Sequence, residues 1–309
     1  WVDELRVYQG ASIAVYVIAI SSIILLTGYS GQVSLGHGAL MALGAYAAAV
    51  LRIEYNLPII LCFVVAVLAA AIGGALLGAA AARLSGPYLA GTTLALAIGL
   101  PSLANQFSVL GGEQGLIFDV GFPPLSLGED FTQYKWFFWI AALAALLSTW
   151  TVRNVLNSRY GRSWRAGRGH EVAAQLAGIN TARSKVLAFT ISAGIAGLAG
   201  ALLAMTIGTV SPSAFPLSLS FAVLTGAVLA GITTLGGVIL GAFVLVIIPE
   251  IADVIAHRLG TSESVTTNLP GLIVSGLLIL TVLFVPNGPV EQHRARKAKH
   301  EALLGSTHK

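Results

Sequence analysis

Residues 57–82 read LPIILCFVVAVLAAAIGGALLGAAAA, an apolar run with no charged side chain, closed by Arg83. A helix needs about 20 such residues to cross the hydrocarbon core of a bilayer. Comparable runs lie on either side of it, at 136–152, 186–207 and 269–285. The 309-residue chain is 56% hydrophobic and only 10% charged, well below the roughly one-quarter charged residues of a soluble domain. The expected fold is an all-α polytopic membrane protein with about eight to ten transmembrane or re-entrant helices.

Thirty-five glycines would weaken soluble helices. In lipid they let helix backbones approach, and small residues recur at four-residue spacing in Gly74/Gly78, Ala193/Gly197 and Gly237/Gly241. Tight bundle packing is the plain reading of each glycine; broken helices lining a pathway are the sharper one. Cys62 stands alone, so neither a disulfide framework nor a cysteine metal cluster is expected. No cleavable signal pattern opens the sequence, which begins at Trp1, and an upstream helix would change the count of crossings.

Cations set the orientation. Arg153, Arg159, Arg162, Arg165, Arg168, Arg183 and Lys185 cluster around the single acid Glu171, and Arg294, Arg296, Lys297, Lys299 and Lys309 mark the tail. The positive-inside rule places both groups in the cytoplasm. The loop at 111–134, with Glu113, Asp119, Glu129 and Asp130, is expected outside. An even number of spans must then separate residues 185 and 287, met by 186–207, a short, tilted or re-entrant 215–231, 234–251 and 269–285. The turn at Thr233–Thr234 falls inside and 253–268 outside. Spans at 12–27, 33–51, 57–82, 89–107 and 136–152 complete about nine crossings with an external N-terminus. The domain expectation is a transmembrane domain over 1–286, interrupted by a cytoplasmic loop at 153–185, and a basic cytoplasmic tail at 287–309.

Three polar stretches interrupt the apolar runs. GYSGQVSLGHG, residues 28–38, is either a broken helix beside a polar path or a turn at the cytoplasmic surface. His37 within it is a structural hydrogen-bonder or, less commonly, a proton relay. RLSGPYLAGTT, residues 83–93, starts a helix at Pro87 that Pro101 should kink, with Thr92, Thr93 and Asn105 facing inward or bonding between helices. Glu250, after Pro249, sits near the outer interface, either as a functional acid or reaching water.

RYGRSWRAGRGHEVAAQLAGIN, residues 159–180, is the basic, helix-prone insert. No Gly-Lys pair occurs, so a phosphate loop is excluded, and Ala174 breaks the zinc pattern that His170-Glu171 begins. Arginines beside a transmembrane helix speak for orientation, anionic lipid or a docking partner rather than nucleic acid.

With these blocks in order, the chain resembles the LivM-type permeases of bacterial branched-chain amino-acid ABC importers. GYSGQVSLGHGALMALGAYAA, RLSGPYLAGTTLALA with LGGEQGL, SRYGRSWRAGRGHEVAAQLAGIN with KVLAFTISAGIAGLAGAL, and TTLGGVILGAFVLVIIPE carry the resemblance. It implies a non-enzymatic transport subunit of the bacterial inner membrane with no bound cofactor. Implied partners are a LivH-like second permease, two cytoplasmic ATPases that use ATP and Mg, an extracytoplasmic binding protein, and lipid. An EAA-like coupling helix is implied at Glu171, Ala173, Ala174, Gly178 and Ile179, flanked by Arg162 and Arg165. Glu171 would supply a polar contact to the ATPase, the alanines close approach, and Gly178 the turn. Gly169-His170 departs from the acidic residues common before that glutamate. Candidate path residues are Gln32, Ser34, His37, Thr92, Thr93 and Asn105. Urea or short-chain amides remain alternative cargoes, and a stand-alone secondary transporter an alternative class.

Overall fold

The computed structural model describes residues 3–258, apart from 85, 122 and 124–130, and scattered helical positions between 269 and 283. Among the described residues are ten α-helices: α1 (Glu4–Ile23), α2 (His37–Tyr55), α3 (Ile59–Ala81), α4 (Pro87–Ala104), α5 (Gln133–Asn157), α6 (Arg159–Gly169), α7 (Glu171–Leu176), α8 (Thr181–Ile207), α9 (Leu217–Ala230) and α10 (Val238–Arg258). A π-helical segment, Ile24–Tyr29, prolongs α1. Five segments are long and apolar enough to cross a membrane, and two further apolar helices are shorter. Each expected span up to residue 251 has its helix; the expected span 269–285 and the tail 287–309 fall largely or wholly outside the described residues.

The most extensive helix pair is antiparallel α3 and α8. α3 buries a four-residue ladder of small side chains, Cys62, Ala66, Ala70, Gly74 and Gly78. Its opposite face exposes Ile60, Val64, Leu68, Ile72 and Leu76, as a lipid-facing helix should. A methyl group on Gly74 would strike Ala193, one on Gly197 would strike Ala70, and one on Gly200 would strike the Met41 carbonyl. The spacing Gly237/Gly241 serves the same purpose against Ala230 and Gly226. For these pairs the plain packing reading holds. Lipid tails supply no hydrophobic drive between helices, so van der Waals contact at short range must.

A two-residue ribbon joins the far ends of α4 and α8: β1 (Leu116–Ile117) runs antiparallel to β2 (Thr209–Val210). Phe118 N–H extends it to the Gly208 carbonyl at 2.9 Å. The described part of the acidic loop, Leu116 to Asp119, therefore lies at the end of the bundle opposite α6 and α7, as expected from charge. At that same far end, Arg52 donates to the Asp119 and Leu57 carbonyls. α10 continues through residue 253 to Arg258, so the first residues of the loop expected from 253 are helical. α9 is short, at 14 residues, because a 3-10 turn, Pro212–Ala214, precedes it.

Glycines on α4 provide the contrast. A methyl group placed on Gly91 or Gly99 would have no neighbour within 4 Å, whereas Gly197 sits against backbone. Gly197→Leu is expected to abolish a monodisperse peak of the detergent-purified chain, since overpacking at such a contact costs about 1–3 kcal/mol or more. Gly99→Leu should leave peak and melting temperature within a few degrees of wild type; size-exclusion chromatography with a thermal ramp compares them.

Candidate functional site

Beyond Tyr29 the chain leaves the helix and turns back into the bundle. Gly31, at φ +73°, supplies the left-handed residue of the reversal and lies against the aliphatic stem of Arg168, so it is required by conformation and by space. Backbone groups of the irregular segment are then met one by one. Thr27 Oγ1 donates to the Gln32 carbonyl at 3.1 Å, and Leu35 N–H donates to Thr93 Oγ1 at 3.0 Å. Gly38 N–H, in the first turn of α2, donates to Ser220 Oγ of α9 at 2.9 Å. Gln32, Ser34, His37 and Thr93 are buried. The stretch is a break between helices whose tip, Gly31 and Val33, is exposed beside the insert, while Gln32, Ser34 and residues 36–38 are buried in the bundle.

His37 pins the start of α2. Ser22 Oγ donates to the Ala19 carbonyl and Ser192 Oγ to the Ser22 carbonyl, each at 2.7 Å. Both hydroxyl protons are therefore committed, and His37 Nε2 must bear the proton it shares with Ser22 Oγ at 3.0 Å and Ser192 Oγ at 3.3 Å. Nδ1 is left facing Ser34 Oγ at 3.4 Å. With its ring fully buried and both nitrogens matched, His37 is a structural hydrogen-bonder here. Thr92 and Asn105 do not join the group: both are exposed, and Thr92 bonds back to the Leu89 carbonyl. The inward expectation fails for these two because α4 turns only Leu89, Thr93, Ala97 and Ala104 toward the bundle.

The basic insert folds as two short helices, each capped. Ser158 caps α6, His170 caps α7 by accepting from Ala173 N–H at 3.4 Å, and Asn180 caps α8 by accepting from Arg183 N–H at 2.9 Å. The imidazole thus does the capping that an acid before Glu171 would do. Trp164, 2% exposed, anchors α6 by donating from Nε1 to the Ser184 carbonyl at 2.9 Å. Arg168 donates to the Gly28 carbonyl, and Arg165 stacks 5.7 Å from the Tyr29 ring centre. These contacts tie the insert to the π-helical end of α1.

Within α7 the expected roles divide. Glu171 is engaged inside the chain, 2.7 Å from Lys185 Nζ, rather than standing free for a partner. Ala174 is buried, while Ala173 is exposed. Gly178, at φ +84°, makes the turn that was expected of it, with Ile179 half-buried behind it. Arg162 and Arg165 lie exposed on α6, Arg162 bonded to the Asn157 carbonyl at the end of α5. The unanticipated feature is apolar: Val172 is 59% and Leu176 86% exposed, one turn apart. Composition hid this face, because two apolar residues in a six-residue helix give no periodicity to read. Lys185, Arg168 and Trp164 were likewise found only through their distant partners.

Between the irregular segment, the α3–α4 turn and the insert lies a cavity of about 410 Å³. Gln32, Arg168, Glu171 and Lys185 supply its polar wall, Leu84 and Leu89 part of its apolar one. At the opposite end, Glu250 accepts from Gln9 Nε2 and is half-buried, so it is bonded within the protein rather than simply reaching water.

A family described as branched-chain amino acid transport system, permease component, matches residues 9–283. The high-affinity branched-chain amino acid transport permease LivM of Escherichia coli K12 is 32% identical over 94% of this chain and 71% of its own length. LivM of Salmonella typhimurium LT2 is 32% identical over 89% and 67%, and LivH of the same organism 28% identical over 62% and 54%. No solved structure matches the chain.

Hydrogen bonding from Lys185 holds the Glu171 carboxyl below the usual carboxylate range. A depressed carboxyl contributes stability above its unfolded value, about 4.3, and loses it as pH falls through the lower folded value. Glu171→Gln is expected to lower the melting temperature slightly at pH 7, by a fraction of 1 kcal/mol given its exposure. The difference from wild type should vanish on acidification below pH ~4. Thermal unfolding of both proteins from pH 7 to pH 3.5 checks this.

Proposed function

Because this chain belongs to the permease components of branched-chain amino acid transport systems, we propose that it moves branched-chain amino acids inward in a bacterial inner membrane, as one half of an ATP-driven pair. The observation that carries the coupling is the exposed Val172–Leu176 face of α7 on a rigidly capped insert. Such a face, too small to hold a helix in place and too apolar for water, fits a groove on a cytoplasmic ATPase. Arg162 and Arg165, exposed on the preceding helix, add positive charge to the same insert. The second permease is a LivH-like homologue, and two ATPases bind and hydrolyse ATP with Mg outside this chain.

On this reading the α6–α7 end is cytoplasmic, the β1–β2 ribbon faces an extracytoplasmic binding protein, and the basic tail 287–309 is cytoplasmic. Closing of the ATPase dimer draws the two coupling helices together. The insert transmits that movement through Arg168 to the π-helical end of α1 and through Lys185 to α8. ATP shifts the equilibrium only by binding one state better than the other. Those two contacts lie where the broken segment begins, so the displacement reaches the re-entrant turn directly.

The complete importer, purified through a tag on this chain, is expected to bring two ATPases and a second permease, and to take up leucine in proteoliposomes when ATP is supplied. Leu176→Asp should reduce ATPase recovery at least tenfold while the second permease is retained. Recovery of the chain alone, with ATP-independent leucine flux intact, would overturn the importer reading; uptake of urea in place of leucine would overturn the cargo.

A further inference from the structure

The cavity at the α6–α7 end has chemistry beyond a passage. Its polar wall sets two cations, Arg168 and Lys185, beside one anion, Glu171. Gln32 is 4% exposed, and its Nε2 donates to Ser30 Oγ and to the Lys185 carbonyl, which holds this side of the wall in place. Facing this wall, Leu84 and Leu89 offer aliphatic contact. The volume, about 410 Å³, lies within the range of about 300–1,000 Å³ typical of small-molecule sites.

We propose that this cavity binds a zwitterionic amino acid with an aliphatic side chain from the cytoplasmic side, and that its occupation slows the transport cycle. The carboxylate lies between Arg168 and Lys185, the ammonium donates to Glu171, and the side chain rests on Leu84 and Leu89. One of the five guanidinium donors of Arg168 is committed to the Gly28 carbonyl, so the group is already oriented. Glu171 begins α7 and Lys185 lies in the second turn of α8, so the occupant exchanges their mutual pair for one bond to each. That exchange loosens α7 from α8 where the ATPase docks. Internal cargo thereby weakens coupling, and by linkage nucleotide-driven closure weakens internal cargo binding. This inference rests on the importer reading.

The test uses proteoliposomes of the complete importer with ATP enclosed, and with binding protein and radiolabelled L-leucine outside. Unlabelled L-leucine at millimolar concentration in the lumen is expected to lower the initial uptake rate about fivefold or more. Leucinol, which lacks the carboxylate, and 4-methylpentanoate, which lacks the ammonium, should leave the rate unchanged. Arg168→Gln and Leu84→Trp, on opposite walls, should each lose the inhibition relative to their own empty-lumen rates. Intact uptake indifferent to luminal leucine, or inhibition undiminished in either assembled variant, overturns this inference alone. No uptake with an empty lumen overturns the importer reading and this inference with it.

Discussion

A chain that leaves its helix inside a bilayer must find a partner for every exposed backbone N–H and C=O, because the hydrocarbon offers none. Here the requirement falls on residues 30–36, between the π-helical end of α1 and the start of α2. Thr93 of α4 accepts from Leu35 N–H within this segment, and Ser220 of α9 accepts from Gly38 N–H where α2 begins. Both bonds hold α4 and α9 against the break. Remove one hydroxyl and an amide at membrane depth loses its acceptor, which is why small polar residues are spread through otherwise apolar helices.

The second constraint is proximity. Ser192 can reach His37 and Ser22 only because α8 packs closely on its neighbours, and small residues permit that approach. The polar network and the glycine contacts are therefore one construction. Lipid-facing surfaces obey the opposite rule, with Leu68, Ile72 and Leu76 of α3 and Trp139 and Trp150 of α5 filling space toward the acyl chains. α4 fits neither pattern: it exposes Gly91, Thr92 and Asn105.

The insert is built on different physics. Water is available there, so capping groups, an ion pair and one buried tryptophan hold it, and its α7 face is left apolar. Placing Arg168 on the Gly28 carbonyl joins the aqueous device to the re-entrant turn. On the coupling role proposed for α7, its displacement acts on that turn through short, directional contacts rather than through a long lever.

Much of this was legible in the residues. Run length and the absence of charge located the apolar helices through α10, charge put the β1–β2 loop opposite the insert, and four-residue small spacings marked real helix contacts. The turn that the family resemblance implied at Gly178 is present, at a positive φ that glycine takes cheaply. What residue types could not reveal was partnership across long separations. Whether Thr92 or Thr93 faced inward depended on the rotation of α4, which tertiary packing sets and a weakly amphipathic apolar helix does not record. That His37 is a pin required the positions of Ser22 and Ser192, fifteen and 155 residues away. That Glu171 binds Lys185, and that both border a cavity with Gln32 and Arg168, emerged only when α1, α6 and α8 were brought to one end. Periodicity and composition determine which segments enter lipid, because transfer free energy is local and additive; the fold alone decides which polar groups meet there, because hydrogen bonds are short and directional.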